Sequence, residues 1–148
     1  MKIKSFERLR PLSIMPEDDR WYRISEANEI ILHTNEGTLR YIAYKGFLFD
    51  GRSGGRLVDW VISNLGSQDL STCWLVHDIG FYPYTVSFEL ANDILYQMLL
   101  LSGVSRLKAW LVFKSVSLFA RKFKAEESSE VVGKYRQNLN QYFFRWDK

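Results

Sequence analysis

The residues best placed to do chemistry lie in and around Trp74-Leu75-Val76-His77-Asp78-Ile79-Gly80-Phe81-Tyr82. An imidazole and a carboxylate sit side by side in this otherwise apolar run. Ionisable groups are costly to bury unless partnered. The pair therefore belongs either to the surface or to a built site, with Asp50 upstream and Asp93 downstream as its other acidic members. A carboxylate facing His77 across a helix pair would fix its tautomer and stabilise its protonated form. An orienting acid supports a general-base histidine in that way, and Asp93 is the candidate. Asp78 adjoins His77, so on a helix it starts about 100° further round and is expected to look elsewhere, toward Asp50. Asp50, Asp78 and carbonyls near Gly51 would form a hard oxygen site. Such a site suits calcium, which takes six to eight oxygens in loose geometry. A zinc site would need His77, Cys73 and an aspartate, and one Cys–His pair leaves it short of ligands. The plain alternative is that His77 and Asp93 form a buried polar pair that only specifies packing.

The elements that must hold these groups follow from pattern and punctuation. Trp21-Tyr22-Arg23-Ile24, residues 29–34 and residues 38–44 are rich in β-formers. Asn35-Glu36-Gly37 closes a hairpin between the last two, and Lys45-Gly46 turns the chain into Phe47-Leu48-Phe49. Residues 1–19, with Pro11 and Pro16, read as an irregular entry with one short strand. Asp50-Gly51-Arg52-Ser53-Gly54-Gly55 is either a connection or an ion-binding loop, and it lacks the Gly-Lys-Ser/Thr of a phosphate loop. Helical spacing then begins, with Leu57, Val58, Val61, Ile62 and Leu65 on one face. Further helices are expected over residues 69–82, stopped by Pro83, over 87–102, ended by Gly103, and over 105–124. A last one is expected from residue 128 or 129 to 142. The tight corner at Pro83 makes the 69–82 and 87–102 helices antiparallel, which brings His77 and Asp93 to nearly the same height.

The whole chain, residues 1–148, reads as a single α+β domain: an N-terminal antiparallel hairpin sheet in residues 1–50, then a helical body in residues 56–145. Apolar residues make up 47% and aromatics 16%, enough for a real core and far from a disordered composition. The net charge of +3 is too small and too scattered to argue nucleic-acid binding. Cys73 is the sole cysteine, which points to a reducing compartment and no intrachain disulfide. No apolar run approaches the roughly 18 residues of a membrane span, and the basic start lacks the apolar core of a secretory signal. The location expected from these features is the cytoplasm of the producing cell. His33 is expected to be exposed or capping, and Cys73 to be a small buried apolar group. The helix at 105–124 mixes Leu107, Trp110, Leu111 and Leu118 with Arg106, Lys108 and Lys114. It reads as a core helix with solvated lysines, or alternatively as one that docks on a membrane surface or a partner. The aromatic tail from Tyr142 to Trp146 is expected to pack back on the core.

Taken in order, Phe49-Asp50-Gly51-x-Ser53, Val76-His77-Asp78-Ile79-Gly80-Phe81 and Ala91-Asn92-Asp93 resemble a phage and prophage family of unknown function. Its members read Asp-Gly-x-Ser-x-Pro, His-Asp-x-x-Tyr and Ala-Asp, and the resemblance covers residues 20–120. More distantly the set is similar to the phospholipase A2 superfamily. That resemblance implies a phospholipase-A2-like antiparallel helix pair with His77 as the general base that deprotonates the attacking water and Asp93 as its orienter. It also implies calcium held by Asp50, Gly51 and Asp78, stabilising the oxyanion of an ester. Here Phe81 replaces the tyrosine, glycine replaces the proline, and the Ala-Asp step is split by Asn92. Two functions follow. One is a calcium-dependent hydrolase of a (phospho)lipid ester, acting at a phospholipid or membrane surface. The other is a non-catalytic virion, tail or host-interaction protein that retains the fold, with phage structural proteins as partners and packaging in a virion.

Overall fold

The structure, a computed structural model, describes residues 1–16, 21–50, 68–81, 86–126 and 144–147. The N-terminal half is antiparallel β: β1 (Ile3–Arg8), β2 (Ile14–Pro16), β3 (Trp21–Ile24), β4 (Asn28–Thr34), β5 (Thr38–Ala43) and β6 (Leu48–Asp50). Three helices follow among the described residues: α1 (Gln68–Phe81), α2 (Phe88–Leu101) and α3 (Arg106–Glu126). The last element is a strand, β7 (Phe144–Asp147). The α+β class with a leading sheet and a helical body is therefore as the sequence implies.

The sheet differs from expectation in three ways. The entry segment holds two strands rather than one, and the strands divide into two sheets, ordered β1-β4-β5-β7 and β2-β3-β6. The C-terminal residues 144–147 are not part of the helical body. They pair with β5, Trp146 opposite Leu39 and Phe144 opposite Tyr41. The expected helices at 57–65 and 128–142, the corner at Pro83 and the loop 51–55 lie outside the described residues.

The hairpin is where its turn residues put it. Gly37 has φ of 144° between β4 and β5, a conformation that glycine reaches without strain. Register pairs Ile30 with Tyr41 and Leu32 with Leu39, so these four share one face and all are fully buried. α1 packs on β5 and β6, and α2 packs on β1 and α1. The core lies between that sheet face and the two helices. Arg8 at the end of β1 ties sheet to helix, donating to Asp69 Oδ1 and Thr72 Oγ1, both at 2.7 Å, in the first turns of α1.

α1 is buried on nearly every side from Leu70 to Gly80, as expected of a helix apolar all round. It is the central element. α2 begins at the cap residue Ser87, whose Oγ accepts from Leu90 N at 3.2 Å, satisfying an otherwise orphaned donor. It ends with Val104 N on Leu99 O and Gly103 N on Leu100 O, with Gly103 at φ of 85°. That paired bonding is the Schellman stop that a glycine after the last turn makes cheap.

Candidate functional site: the α1–α2 seam

Three contacts fix how α1 and α2 meet. A Cβ on Gly80 would stand 3.6 Å from Ala91 Cβ. His77 Nε2 is 2.9 Å from Asn92 Oδ1, and Cys73 Sγ is 3.5 Å from Ser102 Oγ. Position falls along α1 as it rises along α2, so the pair is antiparallel. Gly80 and Ala91 allow the close approach at one end because neither carries a side chain large enough to hold the backbones apart.

His77 is 2% exposed and Asp78 1%. Each ring nitrogen of His77 faces an oxygen. Nε2 meets the amide oxygen of Asn92, so a hydrogen on Nε2 donates to it. Nδ1 lies 3.3 Å from Asp78 Oδ1. Asn92 in turn donates from Nδ2 to Ser117 Oγ on α3 at 3.4 Å, which fixes the sense of the amide and links all three helices. Trp74, one turn before His77, sets its ring edge-on to the imidazole, centroids 6.2 Å apart and planes at 86°. Its indole Nε1 is buried without a hydrogen-bond partner among the described residues.

The sequence-based site is thus assembled in part and rotated in part. His77 sits at the seam at the expected height, but Asp93 does not face it. Asp93 Oδ2 accepts from Gln97 Nε2 at 2.8 Å. Gln97 then accepts from Ile3 N at 2.7 Å and also donates to Met1 O. Asp93 therefore braces the N-terminal strand against α2. The reason is rotation: adjacent helical residues diverge by about 100°, and Asn92 is the one turned to the seam. Asp78 has one partner that the sequence does not suggest. Its Oδ1 lies against the ring of its own neighbour, 3.3 Å from His77 Nδ1, and the Asp50 side chain lies outside the described residues. Asp50 lies at the end of β6, its backbone opposite Trp21, and Gly51 lies outside the described residues.

Among the described residues no group of three or more His, Cys, Asp or Glu side chains gathers to hold a metal. Of the expected calcium ligands, Asp78 is buried with Oδ1 3.3 Å from His77 Nδ1, and the Asp50 side chain and Gly51 lie outside the described residues. Burial pushes the Cys73 thiol up to about 12, only partly opposed by its contact with Ser102. Cys73 is the small buried group the sequence suggests. His33 is half-buried, its side chain 45% exposed, with Nε2 3.1 Å from Glu7 Oε1.

Asn92, Ser117 and Gln97 escaped the sequence reading. The available signal was a run of amide and hydroxyl groups on otherwise apolar helices, where a polar side chain must find a partner. No helix among the described residues is long and apolar enough to cross a membrane. A model for one family, described as a protein of unknown function (DUF1353), matches residues 26–116. That span contains all three ordered motifs. No curated protein and no solved structure matches the chain.

Proposed function

The chain belongs to the DUF1353 family, whose description assigns no activity, and we propose that it is a non-catalytic interaction protein, of the virion, tail or host-facing kind, in which the His77–Asp78–Asn92 cluster locks the helix pair. One observation carries this reading: a 2% exposed imidazole has an oxygen partner at each nitrogen. A general base needs one nitrogen directed at the water it deprotonates. Here Asp78 stands on that side. A neutral amide, Asn92, takes the place of the orienting carboxylate, and it stabilises a cationic ring less than a carboxylate does. The cluster is well suited to packing. It satisfies buried polar groups on three helices at once, and partner removal there costs more than in an exposed pair. The phage setting rests on the ordered motifs alone.

One feature favours the second reading, a (phospho)lipid ester hydrolase. Nε2 is anchored by the facing helix, as an orienting group anchors a base. That chemistry would require Nδ1 to exchange Asp78 for water. The test is release of lysolipid from mixed-chain phosphatidylcholine by wild type and His77→Ala, with calcium and with chelator. The expected result is no hydrolysis by either protein and no calcium-induced shift in thermal midpoint. Lysolipid that depends on both calcium and His77 would overturn the proposal in favour of the hydrolase.

A further inference from the structure

The outer face of α3 carries a second apolar stripe. Ala109, Val112 and Val116 form its buried side. On the opposite side Leu107 is 67% exposed, Trp110 47% and Leu118 71%. With Lys114 these residues fall within an arc of about 80° and along roughly 16 Å of helix. Soluble helices turn polar groups outward on such an arc, so three large apolar side chains there call for an occupant.

The charges flanking the stripe identify it. Arg106 and Lys108 lie to either side of Leu107, and both are exposed. Lys114 lies within the stripe, its Nζ 5.8 Å from the centre of the Trp110 ring. The α3 sequence adds Arg121, Lys122 and Lys124, and its first acidic residue is Glu126. Among the described residues no carboxylate pairs with Arg106, Lys108 or Lys114. We infer that this face of α3 docks on the headgroup layer of an anionic lipid bilayer.

Tryptophan and lysine have the right anatomy for that depth, each with an apolar body and a polar tip. Leu107 and Leu118 supply the apolar area, and the cations meet lipid phosphates. Two other occupants fit less well. A second copy of this chain would set Arg106, Lys108 and Lys114 against their own like charges. A protein partner with an interface of ordinary size needs about 20 residues a side, and the stripe offers four. A headgroup layer requires only a helix-wide stripe and its cations. The inference does not depend on the reading of the α1–α2 seam.

The experiment is co-sedimentation of the full chain with vesicles of equimolar phosphatidylglycerol and phosphatidylcholine, and with vesicles of phosphatidylcholine alone. Three exposed cations near the surface give an expected preference of about a hundredfold for the anionic vesicles at low salt, falling as salt is raised. The Leu107→Ser/Leu118→Ser variant alters only exposed positions, so it should keep its thermal midpoint and lose binding about tenfold or more. Equal partitioning to the two vesicle types, no sedimentation of the wild type, or undiminished binding by the folded double variant would each overturn the inference. So would light scattering that shows self-association of the wild type abolished in the double variant, which would assign the face to a second copy.

Discussion

The α1–α2 seam and the outer face of α3 break the usual partition of residues in opposite directions. The seam buries an imidazole, a carboxylate and an amide where apolar contacts would be expected. The outer face exposes leucine and tryptophan where polar groups would be expected. Buried polar and exposed apolar groups are the informative departures, because ordinary partition needs no special cause. In the seam the cause is internal: the imidazole, the carboxylate and the amide each find a partner within the fold, and the cost of a missing one falls on stability. On α3 the inferred cause is external, because Leu107, Trp110 and Leu118 stand exposed on the side of the helix away from its buried residues.

Substitutions separate the two regions by their effect on stability. His77→Ala breaks the seam most severely. It leaves Asp78 buried without its imidazole, orphans Asn92 Oδ1 and opens a cavity, and should cost about 3–4 kcal/mol in urea unfolding. A loss below about 1 kcal/mol would mean that the cluster is not a structural lock. Asn92→Ala and Asp93→Ala then form an adjacent pair. The first removes a buried acceptor and should cost about 2 kcal/mol, and the second a half-buried brace worth under about 1 kcal/mol. The reverse order would mean that the carboxylate holds the seam after all.

Cys73 gives a smaller, pH-dependent signature. Its thiol is raised from 9.0 to about 12 by burial, so its stabilising contribution is complete below the unfolded value. That contribution is lost as pH rises from about 9 toward about 12. Native protein should resist thiol reagents at pH 8 and react promptly once unfolded. Equal rates in the two states would place Cys73 at the surface. Smallest of all, Leu107→Ser should change stability by no more than about 0.5 kcal/mol. A large loss would move that face into the core and cancel the contrast.

Local chemistry made much of this fold legible. Asn35-Glu36-Gly37 announced the β4–β5 hairpin, Ser87 the start of α2 and Gly103 its end. Each signal acts within a few residues, through a positive φ or a capping oxygen. Pairings distant in sequence were harder to see. β1 joins β4 with Phe6 opposite Leu32, and β7 joins β5 across most of the chain. No turn residue marks such pairings. The site shows the same limit more finely. Helix direction and the height of His77 followed from the short connection, but helix rotation did not. The rotation depends on how closely Gly80 and Ala91 let the backbones approach. An error of one residue there exchanges Asn92 for Asp93, and with it an amide for an acid.

The imidazole hydrogens of His77 report on the seam most directly. In protein labelled with nitrogen-15 at histidine, only His33 and His77 contribute, and His33, whose side chain is 45% exposed, serves as the internal control. The Nε2 hydrogen of His77 should give a slowly exchanging signal coupled across the bond to Asn92, and it should weaken or vanish in Asn92→Ala. A His77 ring whose hydrogens exchange with water as fast as those of His33 would show an open imidazole and contradict the buried lock.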